Sequence, residues 1–447
     1  MVFSSIPFLY YFLPVALVLY FAAPKQFKNM ILFLASLFFY AWGEPLNVIW
    51  MLLSILVGFC SGWMIEQHMG NGQAKLLLVL SIVIHVGFLV YFKCATVLPI
   101  GISFYTFQIL SYEIDVYQGR VPAQRNLIRL GVYVAMFPQL IAGPIVRYAD
   151  IDRALSERTH SVENFALGIR WFVIGLSKKI LLANVLGRLC DIFLTSDDKS
   201  VLYYWLFGIA YSLQIYFDFS GYSDMTIGLG RILGFHLPEN FNYPYIARSV
   251  TEFWRRWHIS LGFWLRDYVY IPLGGNRVSK KRWVFNIFVV WILTGLWHGV
   301  AWNFIIWGLL FAVLLMLEKR WLLKYLEKSR ILSHCYVLLS IIVSFVIFYG
   351  TNMSDLRNCL GGMIGLNRLP LISKEFLYYL RSYGVILLIG MIGTTPLIKI
   401  LTGRLAQNSF GKRAVTILEP IVLIGLMLLN TAYLVDSSFN PFLYFRF

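Results

Sequence analysis

Two histidines stand where ionisable residues are expensive. His258 sits in Thr251-Glu252-Phe253-Trp254-Arg255-Arg256-Trp257-His258-Ile259-Ser260, and His298 in Leu296-Trp297-His298-Gly299, both within strongly apolar sequence. A polar ionisable group at membrane depth is a functional candidate by default. A neutral imidazole takes a proton from a hydroxyl near neutral pH, so the pair suits general-base chemistry. Spacing alone does not bring the two together, and an isolated histidine is more often a hydrogen-bonded core residue. A third cluster runs Tyr216-Phe217-Asp218-Phe219-Ser220-Gly221-Tyr222-Ser223-Asp224. It sets Asp218 and Asp224 beside two serine hydroxyls at the end of an apolar run. Gly221 is expected to break the helix there and open its backbone to a cavity. Capping residues at an interfacial helix end are a compatible alternative.

Each cluster needs an element to hold it. Read as one helix, residues 251–268 place Trp254, Trp257, Leu261, Trp264, Leu265 and Tyr268 in a stripe at 3–4 spacing. His258 falls on that stripe, and Arg255 and Arg266 on the opposite face. An amphipathic helix at the membrane surface explains the Trp and Arg residues but requires no histidine on its apolar side. From Val284 to His298 a helix rises roughly 21 Å, less than the ~30 Å hydrocarbon core. His298 is therefore expected inside the protein at membrane depth, with Gly299 leaving room for close approach.

The chain that carries these residues is 59% hydrophobic and only 13% charged over 447 residues. An ordinary soluble domain is about a quarter charged, so a water-soluble enzyme and a disordered chain are both excluded. The net charge of +16 fits basic cytoplasmic loops facing anionic lipid better than nucleic acid. Five scattered cysteines form no CxxC pair, so neither a metal site nor a disulfide framework is indicated.

Apolar runs at 7–23, 29–43, 46–65, 76–92, 99–117, 130–146, 163–177, 201–219, 283–300, 301–317, 333–350, 377–398 and 414–435 predict an all-α polytopic membrane protein. Several runs are short, so about ten to twelve transmembrane helices are expected, with re-entrant and surface helices besides. The first run lacks a basic n-region and reads as a retained helix. No repeat or linker divides residues 1–447, which read as one domain with an aromatic tail at 436–447. Basic loops at 25–28, 120–129, 277–282, 318–330 and 399–413 predict an outside N-terminus and a tail on the far side.

The stretch 251–277 resembles the signature of the membrane-bound O-acyltransferase family, and more narrowly its bacterial alginate O-acetylase branch. Further matches are residues 1–5, 99–105, 137–145, 216–224, 295–299 and 440–447, in order along nearly the whole chain. The resemblance implies a helical bundle with a central funnel or tunnel. It implies transfer of an acyl group, acetyl above all, from a cytoplasmic thioester to an extracytoplasmic polysaccharide. His298 matches the general base, and His258 would orient donor or acceptor. Trp257 and Trp297 would wall the tunnel. Arg255 and Arg256 would bind the phosphates of acetyl-CoA, and Asp218 and Asp224 would brace the site, pairing with an Arg. Tyr444, in the tail, is a candidate acyl carrier, against the alternative of an interfacial aromatic belt.

The resemblance further implies a multi-pass protein of the bacterial inner (cytoplasmic) membrane. Its expected partners are the lipid bilayer, the polysaccharide and a separate extracytoplasmic acyltransferase, with an acyl carrier protein as an alternative donor; no metal and no nucleic acid is expected. D-alanyl transfer toward teichoic acid and acetylation of peptidoglycan are the enzyme alternatives. A transporter is the alternative outside enzymes, though the inverted repeat expected of one is not visible.

Overall fold

A computed structural model describes residues 2–95, 98–350, 352–366 and 368–436. Every regular element among these residues is helical. Among the described residues six helices are long and apolar enough to cross a membrane: Val48–Gln67, Gly72–Cys94, Trp302–Leu326, Arg330–Tyr349, Lys374–Gly393 and Ser409–Asp436. A shorter apolar helical stretch, Pro7–Ala22, precedes them. The tail at 437–447, with Tyr444, lies outside the described residues.

The chain divides into two compact units. The first holds Met1–Leu176, Tyr222–Glu239 and Phe263–Tyr268; the second holds Ser177–Gly221, Asn240–Gly262 and Val269–Phe447. Both histidines of interest therefore belong to the second unit.

In the first unit the expected span at 130–146 is a nine-residue helix, Leu127–Ala135, followed by a buried run without helical structure. Pro138 accounts for the stop, since the residue before proline is pushed out of the helical region. The exposed backbone groups find side-chain partners. Phe137 N donates to Ser36 Oγ (3.0 Å), and Thr226 Oγ1 donates to the Pro138 carbonyl (2.6 Å). Irregular backbone inside a membrane protein survives only when satisfied this way.

Helix Val201–Ile232 is 32 residues long, about 48 Å at the standard rise. It runs unbroken through Gly221, contrary to the break expected there. A glycine costs a helix only ~1 kcal/mol, and packing around this one outweighs that. The helix is buried nearly throughout, including Asp218, Ser220, Ser223 and Asp224. Helix Val162–Ser177 continues through a π-helical turn, Lys178–Ala183, into Asn184–Thr195. Such turns re-aim side chains within a helix, and this one carries the buried Lys179.

Candidate active site

Helix Lys280–His298 places His298 as its last residue. Ser279 caps its start by accepting from Arg282 N, satisfying one of the free amides of the first turn. Its neighbour, Trp302–Leu317, packs close at Gly295 and Gly308. A Cβ at either glycine would strike the backbone of the opposite helix, so small residues there permit the contact. His298 is buried among aromatic rings. Its imidazole centroid lies 4.9 Å from Trp297, 5.0 Å from Phe348 and 5.2 Å from Trp307. Asn303 Nδ2 donates to the Phe348 carbonyl (3.0 Å), tying two of these walls together.

His258 is held differently. The expected helix over 251–268 is broken at Trp257 and His258. Val250–Arg256 and Ile259–Leu265 are separate seven-residue helices, and His258 between them has φ +44°. That left-handed backbone is rare for any residue with a side chain. Polar groups at both ends explain the break. At the front, the Ser249 hydroxyl accepts from Glu252 N (3.0 Å). The buried Glu318 carboxylate accepts from Val250 N (2.5 Å), Thr251 N (2.9 Å) and Thr251 Oγ1 (2.6 Å). At the back, Asn242 N donates to the Arg256 carbonyl (2.9 Å), and Ile259 N to the Asn240 carbonyl (3.0 Å). The Asn240 side-chain oxygen lies 3.1 Å from His258 Nδ1 and accepts from Ser260 N (3.2 Å) and Ser260 Oγ (2.9 Å). Helical periodicity says nothing about such competitors for the backbone amides.

The break divides the tryptophan stripe. Trp257 enters the core of the second unit, stacked on Phe253 (5.5 Å) and edge-on to Phe241 (5.1 Å). Trp254 meets Trp291, Trp307 and Phe311. Trp264 belongs to the first unit, stacked on Phe107 at 3.9 Å with its indole N–H donated to the Phe107 carbonyl. His258 itself is buried, edge-on to Phe219 at 4.7 Å and 6.0 Å from Trp297. The Trp297 indole thus neighbours both imidazoles. The structure gathers His258, His298, Trp257 and Trp297 in one aromatic region of the second unit.

The charged candidates separate. Arg255 is exposed. Arg256 pairs with Glu252 (2.9 Å) and donates to the Asn242 carbonyl (3.1 Å). Asp218 pairs with Lys179 at 2.6 Å, a lysine in place of the expected arginine. Asp224 is buried further along the same helix, in the part that belongs to the first unit. Sequence reasoning missed Asn240, Glu318 and Lys179. Glu318 opens a stretch that reads as a basic surface loop, yet it is buried. Its signal is position, one residue beyond an apolar helix.

A profile of the membrane-bound O-acyltransferase family matches residues 32–354. The chain is 36% identical to the probable alginate O-acetylase AlgI of Azotobacter vinelandii, with both chains covered in full. It is 42% identical to the probable alginate O-acetylase AlgI of Pseudomonas aeruginosa over 79% of this chain and 73% of that one. A peptidoglycan O-acetyltransferase of Helicobacter pylori is 33% identical over 84% of this chain and 82% of its own. The chain therefore belongs to the membrane-bound O-acyltransferase family.

Proposed function

We propose that this multi-pass acyltransferase takes an acetyl group from acetyl-CoA at the cytoplasmic face of a bacterial inner membrane and passes it on for O-acetylation of an extracytoplasmic polysaccharide. The observation that carries this reading is the pair of buried imidazoles flanking one indole, in a chain alignable end to end with an alginate O-acetylase relative. In this reading about ten to twelve helices enclose a tunnel, the shorter apolar helices adding to those long enough to span by themselves.

His298 serves as general base. Its neutral ring accepts the proton of an acceptor hydroxyl as the hydroxyl oxygen attacks the thioester carbonyl. The carbon–sulfur bond then breaks, and the proton passes from the imidazolium to the departing thiolate. Trp297, Trp307 and Phe348 around the ring keep out water that would hydrolyse the thioester. Arg255, exposed, is available to the donor's phosphates; Arg256 would first have to loosen its pair with Glu252. Trp257 braces the aromatic wall, and the Asp218–Lys179 pair braces the long helix behind it, with Asp224 further along. Tyr444 receives the acyl group on the outer side and hands it to a separate extracytoplasmic acyltransferase. An acyl carrier protein would replace acetyl-CoA as donor only if the free thioester fails.

The test is a proteoliposome assay with acetyl-labelled coenzyme A outside and a glycan acceptor inside. Protein-dependent consumption of the thioester, abolished in His298→Ala, is expected. Label crossing still attached to coenzyme A would overturn the reading in favour of a carrier. Peptidoglycan is the second acceptor to include, because the Helicobacter pylori relative carries that activity in its name.

A further inference from the structure

We propose that Asn240 is a positioning residue which fixes the tautomer of His258, so that His258 faces the bound acceptor as a hydrogen-bond acceptor and not as a donor. The Asn240 amide has a defined orientation. Oxygen and nitrogen of such a group are distinguished by their partners. The atom facing His258 also faces the backbone N–H of Ser260 at 3.2 Å. A backbone N–H only donates, so that atom is the amide oxygen. The Ser260 hydroxyl at 2.9 Å completes the same cradle.

The tautomer follows. An amide oxygen accepts, so His258 Nδ1, 3.1 Å away, carries the hydrogen. A neutral imidazole has one donor and one acceptor nitrogen. Nε2 is then the acceptor, and it is buried without a hydrogen-bond partner. The rings beside the imidazole include Phe219 and Trp297, which carry no charge and offer no strong acceptor. The Nε2 lone pair is thus buried and unengaged beside these rings, on a residue whose backbone is held in the left-handed region at φ +44°. Backbone strain of this kind persists only where surrounding structure over-determines it. A nitrogen in this state cannot donate to the oxyanion that develops on the thioester carbonyl. It can accept a hydrogen bond from a hydroxyl other than the attacking one, whose proton His298 takes. This rests on the acyl-transfer reading above and narrows His258 to the acceptor side of the reaction.

Two measurements test it. The first needs no activity: solid-state NMR of 15N-histidine protein in nanodiscs, with His258→Gln identifying the resonances. Expected is a protonated Nδ1 and an unprotonated Nε2 for His258. A protonated Nε2 overturns the proposal whatever the enzyme does. The second measures acetyl transfer in Asn240→Asp and Asn240→Leu. Aspartate keeps an oxygen for all three donors and adds a negative charge beside the imidazole. It should retain kcat to within about tenfold and move the acid limb of the pH profile upward. Leucine should lower kcat by between ten- and about 10⁴-fold, the upper figure being typical of a mispresented tautomer, with KM for acetyl-CoA unchanged. Equal losses in both variants with an unmoved pH profile would reduce Asn240 to a brace and overturn the role. Absence of transfer in the wild type would remove the acyl-transfer reading, while the resonances would still decide the tautomer.

Discussion

The two histidines are neighbours of one tryptophan, yet the elements that carry them differ in kind. His298 ends a 19-residue helix and is fixed by rings on several sides. His258 lies between two seven-residue helices, too short to persist alone, since isolated helices below about 12–15 residues are marginal in water. Its placement comes from polar side chains: Glu318 in front, Asn240 and Asn242 behind. Packing forces are non-directional, so trimming one ring leaves the other rings around His298 in place. Hydrogen-bonded scaffolds are less forgiving. Removing one acceptor strands every donor it served, and a stranded buried donor costs more than the bond contributed. The packed region should tolerate substitution by degrees, and the polar one should fail abruptly.

The sharpest test separates chemistry from placement. His298→Gln keeps a polar side chain in the aromatic cage but removes the basic nitrogen. Acetyl transfer should fall by about 10²–10⁴-fold with the unfolding temperature in detergent unchanged. A variant within tenfold of wild type would move the base role elsewhere, His258 being next in line.

Lys179→Met attacks the polar scaffold beneath the second region. It leaves the buried Asp218 carboxylate without its 2.6 Å partner, on the helix that also presents Phe219 to His258. Breaking a buried pair on one side costs about 3–5 kcal/mol, whereas replacing both members is often near neutral. Lys179→Met with Asp218→Leu should therefore recover most of the lost thermal stability. If the double variant is no better than the single one, the pair does not act as a unit.

Glu318→Gln retains one side-chain oxygen where two now serve Val250 and Thr251. A loss of about 1–3 kcal/mol is expected, with faster proteolysis near 248–256 while the helix ending at His298 stays protected. Uniform loosening of both regions would erase the contrast between them. The smallest effect belongs to Arg255→Gln. This exposed residue should change stability by less than about 0.5 kcal/mol and raise KM for acetyl-CoA a few-fold. An unchanged KM with reduced membrane yield would make it a headgroup anchor.

Much of this protein was legible in the amino-acid sequence. Composition and run length determined that it is a helical membrane protein, because the bilayer admits few other solutions for the backbone. The motifs at 251–277 and 295–299 pointed to the family. That His298 closes a helix followed from the apolar run that stops near Gly299, the helix ending there as Lys280–His298. Other features were decided only by tertiary structure. The break at His258, the lysine partner of Asp218, the burial of Glu318 and the irregular run after Ala135 each depend on a partner distant in sequence. Asn240 competes for the amides of Ile259 and Ser260, and Ser36 takes the amide of Phe137. Hydropathy and periodicity report how a segment meets its solvent. They carry no information about which polar group another segment brings to its backbone.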